Sequence, residues 1–116
     1  MKKILVIDDD TSFLETLSSY LKETGFIVMS AKSAIIGLEI IRTTTPDLVI
    51  SDVRMPGLSG IELAYVLKGF KYNIPLILIS AQNIDDKDLL KYLSFKFLEK
   101  PLDMELLNQY IYNAIN

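Results

Sequence analysis

Five short runs of branched apolar residues, each followed by a segment with helical spacing, constrain this chain more than any other feature. The runs are 4–7 (ILVI), 26–29 (FIVM), 48–50 (LVI), 74–79 (IPLILI) and 95–98 (FKFL). Apolar runs this short, with little polar alternation, predict strands covered on both faces, as in a parallel sheet. Between them, Phe13, Leu14, Leu17 and Leu21 form one stripe, and Ala34, Ile35, Leu38 and Ile41 a second. Ile61, Ala64 and Leu67 form a third, and Leu107, Ile111, Ala114 and Ile115 the last. Such spacing predicts helices whose stripes are core, not cofactor contacts. The polar segment 85–92, with Leu89, Leu90 and the adjoining Leu93, predicts one brief further helix. A βα unit repeated five times implies an α/β fold, with a five-stranded parallel sheet, helices on both faces and right-handed crossovers. At the boundaries, Ser12-x-x-Glu15 and Ser59-x-x-Glu62 have capping-box spacing, and Gly25 is placed to end the first helix in a left-handed turn.

A chain of 116 residues, half of them apolar, suits a single domain, 1–116, that buries its own core. It has no cysteine, which removes disulfides and thiolate metal sites and favours a reducing, cytoplasmic setting. It has no histidine either, so the commonest general base and the usual zinc ligand are absent. A net charge of -3 and a pI near 4.8 argue against a general phosphate-backbone binder, and no direct nucleic-acid partner is expected. Two lysines precede the first apolar run, but Asp8 stops it far short of signal-peptide or membrane-spanning length. Any chemistry therefore rests on carboxylates, hydroxyls and lysine.

The polar residues that close the apolar runs are of that kind. Asp8 and Asp9 follow the first, Asp52 the third and Ser80 the fourth, and Lys100 follows Glu99 at the end of the fifth. Parallel strands bring their carboxyl ends to one edge, and ligands bind in the crevice outside it where the strand order reverses. Carboxylates this close disfavour each other's ionisation unless a cation or hydrogen-bond donors sit among them. Asp8, Asp9 and Asp52 form an oxygen-only set suited to Mg²⁺ with a substrate phosphate, and Lys100 and Ser80 suit phosphoryl oxygens. The constellation reads as phosphoryl transfer. Taken singly, each residue is equally at home capping a helix or facing water at a strand end, and only their joint placement makes that the poorer account.

With these residues in view, the chain resembles a response-regulator receiver domain of two-component signalling, of the chemotaxis-regulator type. The motifs that carry the resemblance are "ILVIDDD", "PDLVISDVRMPGLSG", "PLILISA" and "FLEKP", in that order. It implies a flavodoxin-like (βα)5 fold with strand order 2-1-3-4-5. It also implies Asp52 as phosphoacceptor, and Mg²⁺ held by Asp9, Asp52 and the backbone carbonyl of Arg54, with Asp8 acting through a water. Ser80 and Lys100 would contact the phosphoryl group, Ser80 and Phe97 would form the switch, and the bond before Pro101 is a cis candidate. Asp10 is then left to cap or charge the start of the first helix. By the same resemblance the Arg54 side chain and Gln82 lie at positions that vary in the family and tend to modulate phosphoryl lifetime, and they are expected to be exposed rather than to have a catalytic duty. A sensor histidine kinase or histidine phosphotransfer protein would be the donor. The output would be a downstream protein, or a second copy, meeting the face formed by segment 85–92, the fifth strand and the final helix. Tyr92, Phe95, Phe97, Tyr110 and Tyr112 concentrate aromatics there. The resemblance implies a signalling phosphoacceptor and not a classical enzyme.

Departures from the family pattern lie between Ser80 and Lys100, where the chain is about two residues short and Leu93-Ser94-Phe95 replaces a small-residue turn. Phe97 has no hydroxyl, which leaves burial as the force that would move it. Two other readings compete. Asp8-x-Asp10-Thr11 matches the nucleophile motif of haloacid-dehalogenase-type phosphatases, although 116 residues leave little room for that fold and no later GDxxxD motif follows. A pseudo-receiver that binds partners without phosphorylation is the other, and the intact set Asp8, Asp9, Asp52, Ser80 and Lys100 counts against it.

Overall fold

The computed structural model describes residues 1–69, 73–81 and 96–115. Its elements are β1 (Lys3–Ile7), α1 (Thr11–Glu23), β2 (Ile27–Ala31), α2 (Ala34–Thr44), β3 (Leu48–Asp52), α3 (Gly60–Gly69), β4 (Leu76–Ser80), β5 (Lys96–Glu99) and α4 (Met104–Ile115). The strands form one sheet in the order β2-β1-β3-β4-β5, every pair parallel, as expected. The helix expected over 85–92, together with Gln82, Tyr92 and the Leu93-Ser94-Phe95 turn, lies outside the described residues.

Side chains alternate across the sheet and divide the core in two. Leu5, Ile7, Val49, Leu76 and Leu78 point to one face, where Ala34 and Ile41 of α2 and Leu63, Ala64 and Leu67 of α3 cover them. Ile4, Val6, Leu48, Ile50, Ile77 and Ile79 point to the other, covered by Leu14, Leu17 and Leu21 of α1 and by Leu107 and Ile111 of α4. The central strands are thus buried on both faces, which accounts for their unbroken apolar sequence. β2 departs from the expectation of two covered faces. It is an edge strand with Ile27 and Ser30 exposed, and its span begins one residue later than the apolar run.

Helix boundaries follow local chemistry, with two corrections. α1 is capped by Asp10, whose carboxylate accepts from Phe13 N at 3.2 Å, so the Ser12-x-x-Glu15 box does not cap it. Ser12 already lies inside the helix, and the carboxylate two residues earlier reaches the free N–H groups first. The Ser59–Glu62 box does form, each side chain accepting from the other residue's backbone N–H at 3.1 Å. At its carboxyl end α1 closes as anticipated: Gly25 has φ +103°, its N–H donates to Lys22 O, and Phe26 N–H donates to Leu21 O. The second correction is Ile35, assigned to the core stripe of α2 but 68% exposed. The buried line of that helix runs through Ala34, Gly37 and Ile41, and Ile35, a hundred degrees round from Ala34, falls off it.

One close approach ties α3 to the carboxyl end of β3. Gly60 N donates to Val53 O at 2.9 Å, and a Cβ at Gly60 would overlap the Asp52 carbonyl oxygen and lie 2.9 Å from Val53 Cα. Both obstacles are backbone and neither can swing aside. Gly60→Ala is therefore expected to destabilise the fold by about 1–3 kcal/mol and to move the Asp52 and Val53 amide resonances. Urea unfolding with amide NMR checks this, and a neutral substitution would contradict the packing.

Candidate functional site

The carboxyl ends of four strands meet at one edge because the ladder holds them in register. Ile7 pairs with Ser51, Asp52 with Ile79, and Ser80 with Glu99. Hydrogen bonds continue the ladder just beyond the strands: Asp8 N to Ala31 O at 3.1 Å, Val53 N to Ile79 O at 2.9 Å, and Lys100 N to Ser80 O at 2.8 Å. Asp8 and Asp52 thus close the two neighbouring strands, β1 and β3, between which the order of the sheet reverses.

Carboxylate oxygens of Asp8, Asp9 and Asp52 lie within 4.8 Å of one another, with Asp8 and Asp52 buried and Asp9 exposed. Lys100 reaches them from β5: its Nζ is 3.0 Å from Asp8 Oδ2 and 3.8 Å from Asp52 Oδ1. The other Asp8 oxygen, Oδ1, accepts from Asp10 N at 2.9 Å, so this buried carboxylate is satisfied on both sides. Among the described residues, three carboxylates then face one ammonium, a formal surplus of negative charge. Burial, followed by the charge of Asp8 and more weakly that of Asp9, pushes the Asp52 pKa up to about 6 against the opposing pull of Lys100. An all-oxygen set with surplus negative charge fits a hard divalent cation of the Mg²⁺ kind.

Ser80 closes β4, one residue past the partner of Asp52, and is buried. Phe97 is half-buried on β5 opposite Leu78 and packs on the same face as Leu5 and Ile7. Arg54 is exposed two residues after Asp52, and the Lys100–Pro101 bond is cis. Asp10 stands apart from the carboxylate cluster as the cap of α1. Of the aromatics expected on the output face, Tyr112 is exposed, whereas Tyr110 is half-buried with Lys96 Nζ 5.6 Å from its ring centroid. One residue at the site went unrecognised in the sequence. Phe13, read there as core, does pack on the α1 side of the sheet, but its ring centroid also lies 4.1 Å from Lys100 Nζ. Its position at the start of α1, five residues after Asp8, was the available signal.

The geometry has close counterparts. The family model described as "Response regulator receiver domain" matches residues 4–112. Among curated proteins, the chain is 34% identical over 114 residues to the transcriptional regulatory protein ZraR of Klebsiella oxytoca, covering 97% of this chain and 26% of that protein. It is 31% identical over 104 residues to the DNA-binding transcriptional regulator NtrC of Escherichia coli, covering 88% and 22% respectively. The chain thus spans only about a quarter of the length of these relatives. Among solved structures, a response regulator receiver domain protein from Clostridium thermocellum superposes with a TM-score of 0.91 at 32% identity, covering 100% of this chain and 95% of that one. The response regulator TrrA of Thermotoga maritima, in complex with Mg²⁺-BeF, gives 0.90 at 30% identity, covering 98% and 99%.

Because burial favours the protonated form of Asp52 in the folded chain, this group adds a stabilising contribution that is full below about pH 4 and is lost as the pH rises through about 6. In chelator-treated protein at pH 7, Asp52→Asn should exceed the native chain in stability by ~2–3 kcal/mol, with the gap closing towards pH 4. Paired urea titrations at the two pH values test this. A variant less stable than the native chain at pH 7 would show that Asp52 is not held against its charge.

Proposed function

The chain belongs to the response-regulator receiver domain family of two-component signalling, and from that premise we propose that Asp52 is its phosphoacceptor and that the phosphorylated edge switches a protein-binding surface. The observation that carries the proposal is the Lys100 ammonium set between Asp8 and Asp52 at the carboxyl edge of the sheet. A carboxylate oxygen of Asp52 attacks the phosphorus of a phosphohistidine in line; the P–N bond breaks with its electron pair passing to the imidazole, and an acyl phosphate forms on Asp52. Lys100 keeps its positive charge beside the arriving phosphoryl oxygens, and Ser80, on the neighbouring strand, donates to one of them once the phosphoryl group is in place. Asp9, Asp52 and the backbone carbonyl of Arg54 are the groups that would hold Mg²⁺, with Asp8 acting through a water. When bound, the ion supplies positive charge that offsets the carboxylates and the phosphoryl oxygens.

The donor is a sensor histidine kinase or a histidine phosphotransfer protein. Such donors are charged from ATP, so the protein works in the cytoplasm, as a phosphoacceptor that assists its own phosphorylation and not as a classical enzyme. Magnesium and a phosphoryl mimic together in TrrA support the choice of cofactor. The acyl phosphate places about 1.5 to 2 negative charges next to Ser80. Ser80 is drawn inward, Phe97 turns into the space released, and the surface of β5 and α4 changes for a downstream protein or a second copy. The phosphatase alternative finds no support, since it needs Asp8 as nucleophile. Asp8 is 1% exposed with both oxygens engaged, and Asp10 is occupied as a helix cap.

With Mg²⁺ and acetyl phosphate, the protein is expected to gain a single phosphoryl group, and none when the ion is chelated. Intact-mass spectrometry of the native chain beside Asp52→Ala and Asp8→Ala identifies the acceptor. Full labelling of Asp52→Ala would overturn the proposal, and labelling abolished only in Asp8→Ala would restore the phosphatase.

A further inference from the structure

The two carboxylates around Lys100 do not enclose its ammonium; an aromatic face covers a third side. The Phe13 ring centroid lies 4.1 Å from Nζ, well within the range at which a ring attracts a cation. The ring is not there by the packing of α1 alone. Phe13 N–H donates to the Asp10 carboxylate at 3.2 Å, and Asp10 N–H donates to Asp8 Oδ1 at 2.9 Å. Asp8 Oδ2 accepts from Lys100 itself at 3.0 Å. One buried carboxylate therefore anchors the lysine through one oxygen and, through the other, the helix start that carries the ring.

We propose that Phe13 is a positioning residue for phosphoryl transfer, its ring face confining the Lys100 ammonium over Asp8 and Asp52. The inference rests on the reading of Asp52 as phosphoacceptor. A lysine head carries three donors on a flexible four-carbon stem. Asp8 holds one donor at 3.0 Å, and Asp52, at 3.8 Å, attracts the charge without a hydrogen bond in the unphosphorylated chain. The ring covers a further side of the ammonium with a surface that attracts the cation but competes for no donor, as a water or another carboxylate there would. The ammonium is thereby kept next to Asp52 with donors left for the phosphoryl oxygens. This also gives the third acid of the Asp8-Asp9-Asp10 triplet a task at the site, as the cap that sets Phe13 in place.

The test separates the ring's face from its bulk. Phe13→Leu removes both, Phe13→Tyr keeps both, and 3,4,5-trifluorophenylalanine at position 13 keeps the shape while weakening the negative face. The first readout needs no phosphorylation: in metal-free protein with ¹³C-labelled lysine, the Lys100 ε-methylene protons should show an upfield ring-current shift that Phe13→Leu abolishes and Phe13→Tyr retains. The second is the rate of Asp52 labelling by acetyl phosphate with Mg²⁺. It should fall on the order of five- to tenfold in Phe13→Leu, remain near native in Phe13→Tyr, and take an intermediate value with the fluorinated ring. A native Lys100 without the ring-current shift would overturn the inference, as would equal rates for the native and fluorinated rings. Failure of the native chain to label at Asp52 would instead defeat the phosphoacceptor reading, and the positioning role with it, while leaving the ring-current shift in place as a structural contact.

Discussion

The ion pair between Asp8 and Lys100 is the interaction on which the site depends. It joins residues 92 apart in sequence, from strands that are not neighbours, since β3 and β4 lie between β1 and β5. A buried ion pair adds little net stability, but losing one partner strands the other charge without compensation, so the arrangement tolerates little displacement. Here that intolerance fixes where the ammonium stands. Asp8 is held on its far side by Asp10 N–H, and Lys100 is held at its backbone by Ser80 O, so neither end of the pair is free to drift.

The remaining features of the site follow from where this pair leaves charge. Asp52, beside it on β3, shares the ammonium only at a longer distance, so burial first and the charge of Asp8 next push its pKa up to about 6 while Lys100 pulls the other way. A carboxylate in that condition invites a cation. It also keeps an oxygen uncommitted to a short hydrogen bond with Lys100, as the proposed nucleophilic role requires. Gly60 adds a steric condition, because the close approach of α3 to the Asp52 carbonyl excludes any side chain there. Asp52 is thus constrained at its backbone by Gly60 and at its carboxylate by Lys100.

Much of this was legible in the sequence, for a physical reason. In a parallel sheet the first one or two residues after each apolar run land on one edge, so Asp8, Asp52, Ser80 and Lys100 could be brought together from their order alone. What was missed depends on neighbours that a single segment does not reveal. Asp10 was expected to cap or charge the start of α1 and does cap it, but the Ser12-x-x-Glu15 spacing offered a box that does not form, and only the geometry of the turn after Asp8 decides between the two. Ile35 fits a loose apolar stripe, but the small Gly37, seated against Ile7, rotates the buried line of α2 away from it. β2 has the composition of a covered strand and is the edge because strand order, which local pattern does not encode, puts it there. Phe13 satisfies the periodicity of a core residue and is one, yet the same ring meets the ammonium, and periodicity carries no information about a residue's second neighbour.

Lys100 also sets the direction of signalling in this account. It stands at the end of β5, hydrogen-bonded to the last residue of β4, so under the proposed function a charge arriving on Asp52 would act on the same segment that bears Phe97. Amide NMR of the Mg²⁺-bound protein before and after addition of beryllofluoride, a phosphoryl mimic, tests that claim most directly. Resonances of Asp52, Ser80 and residues 96–99 are predicted to shift together along the titration. Shifts confined to Asp52 and its immediate neighbours, with β5 unmoved, would contradict it.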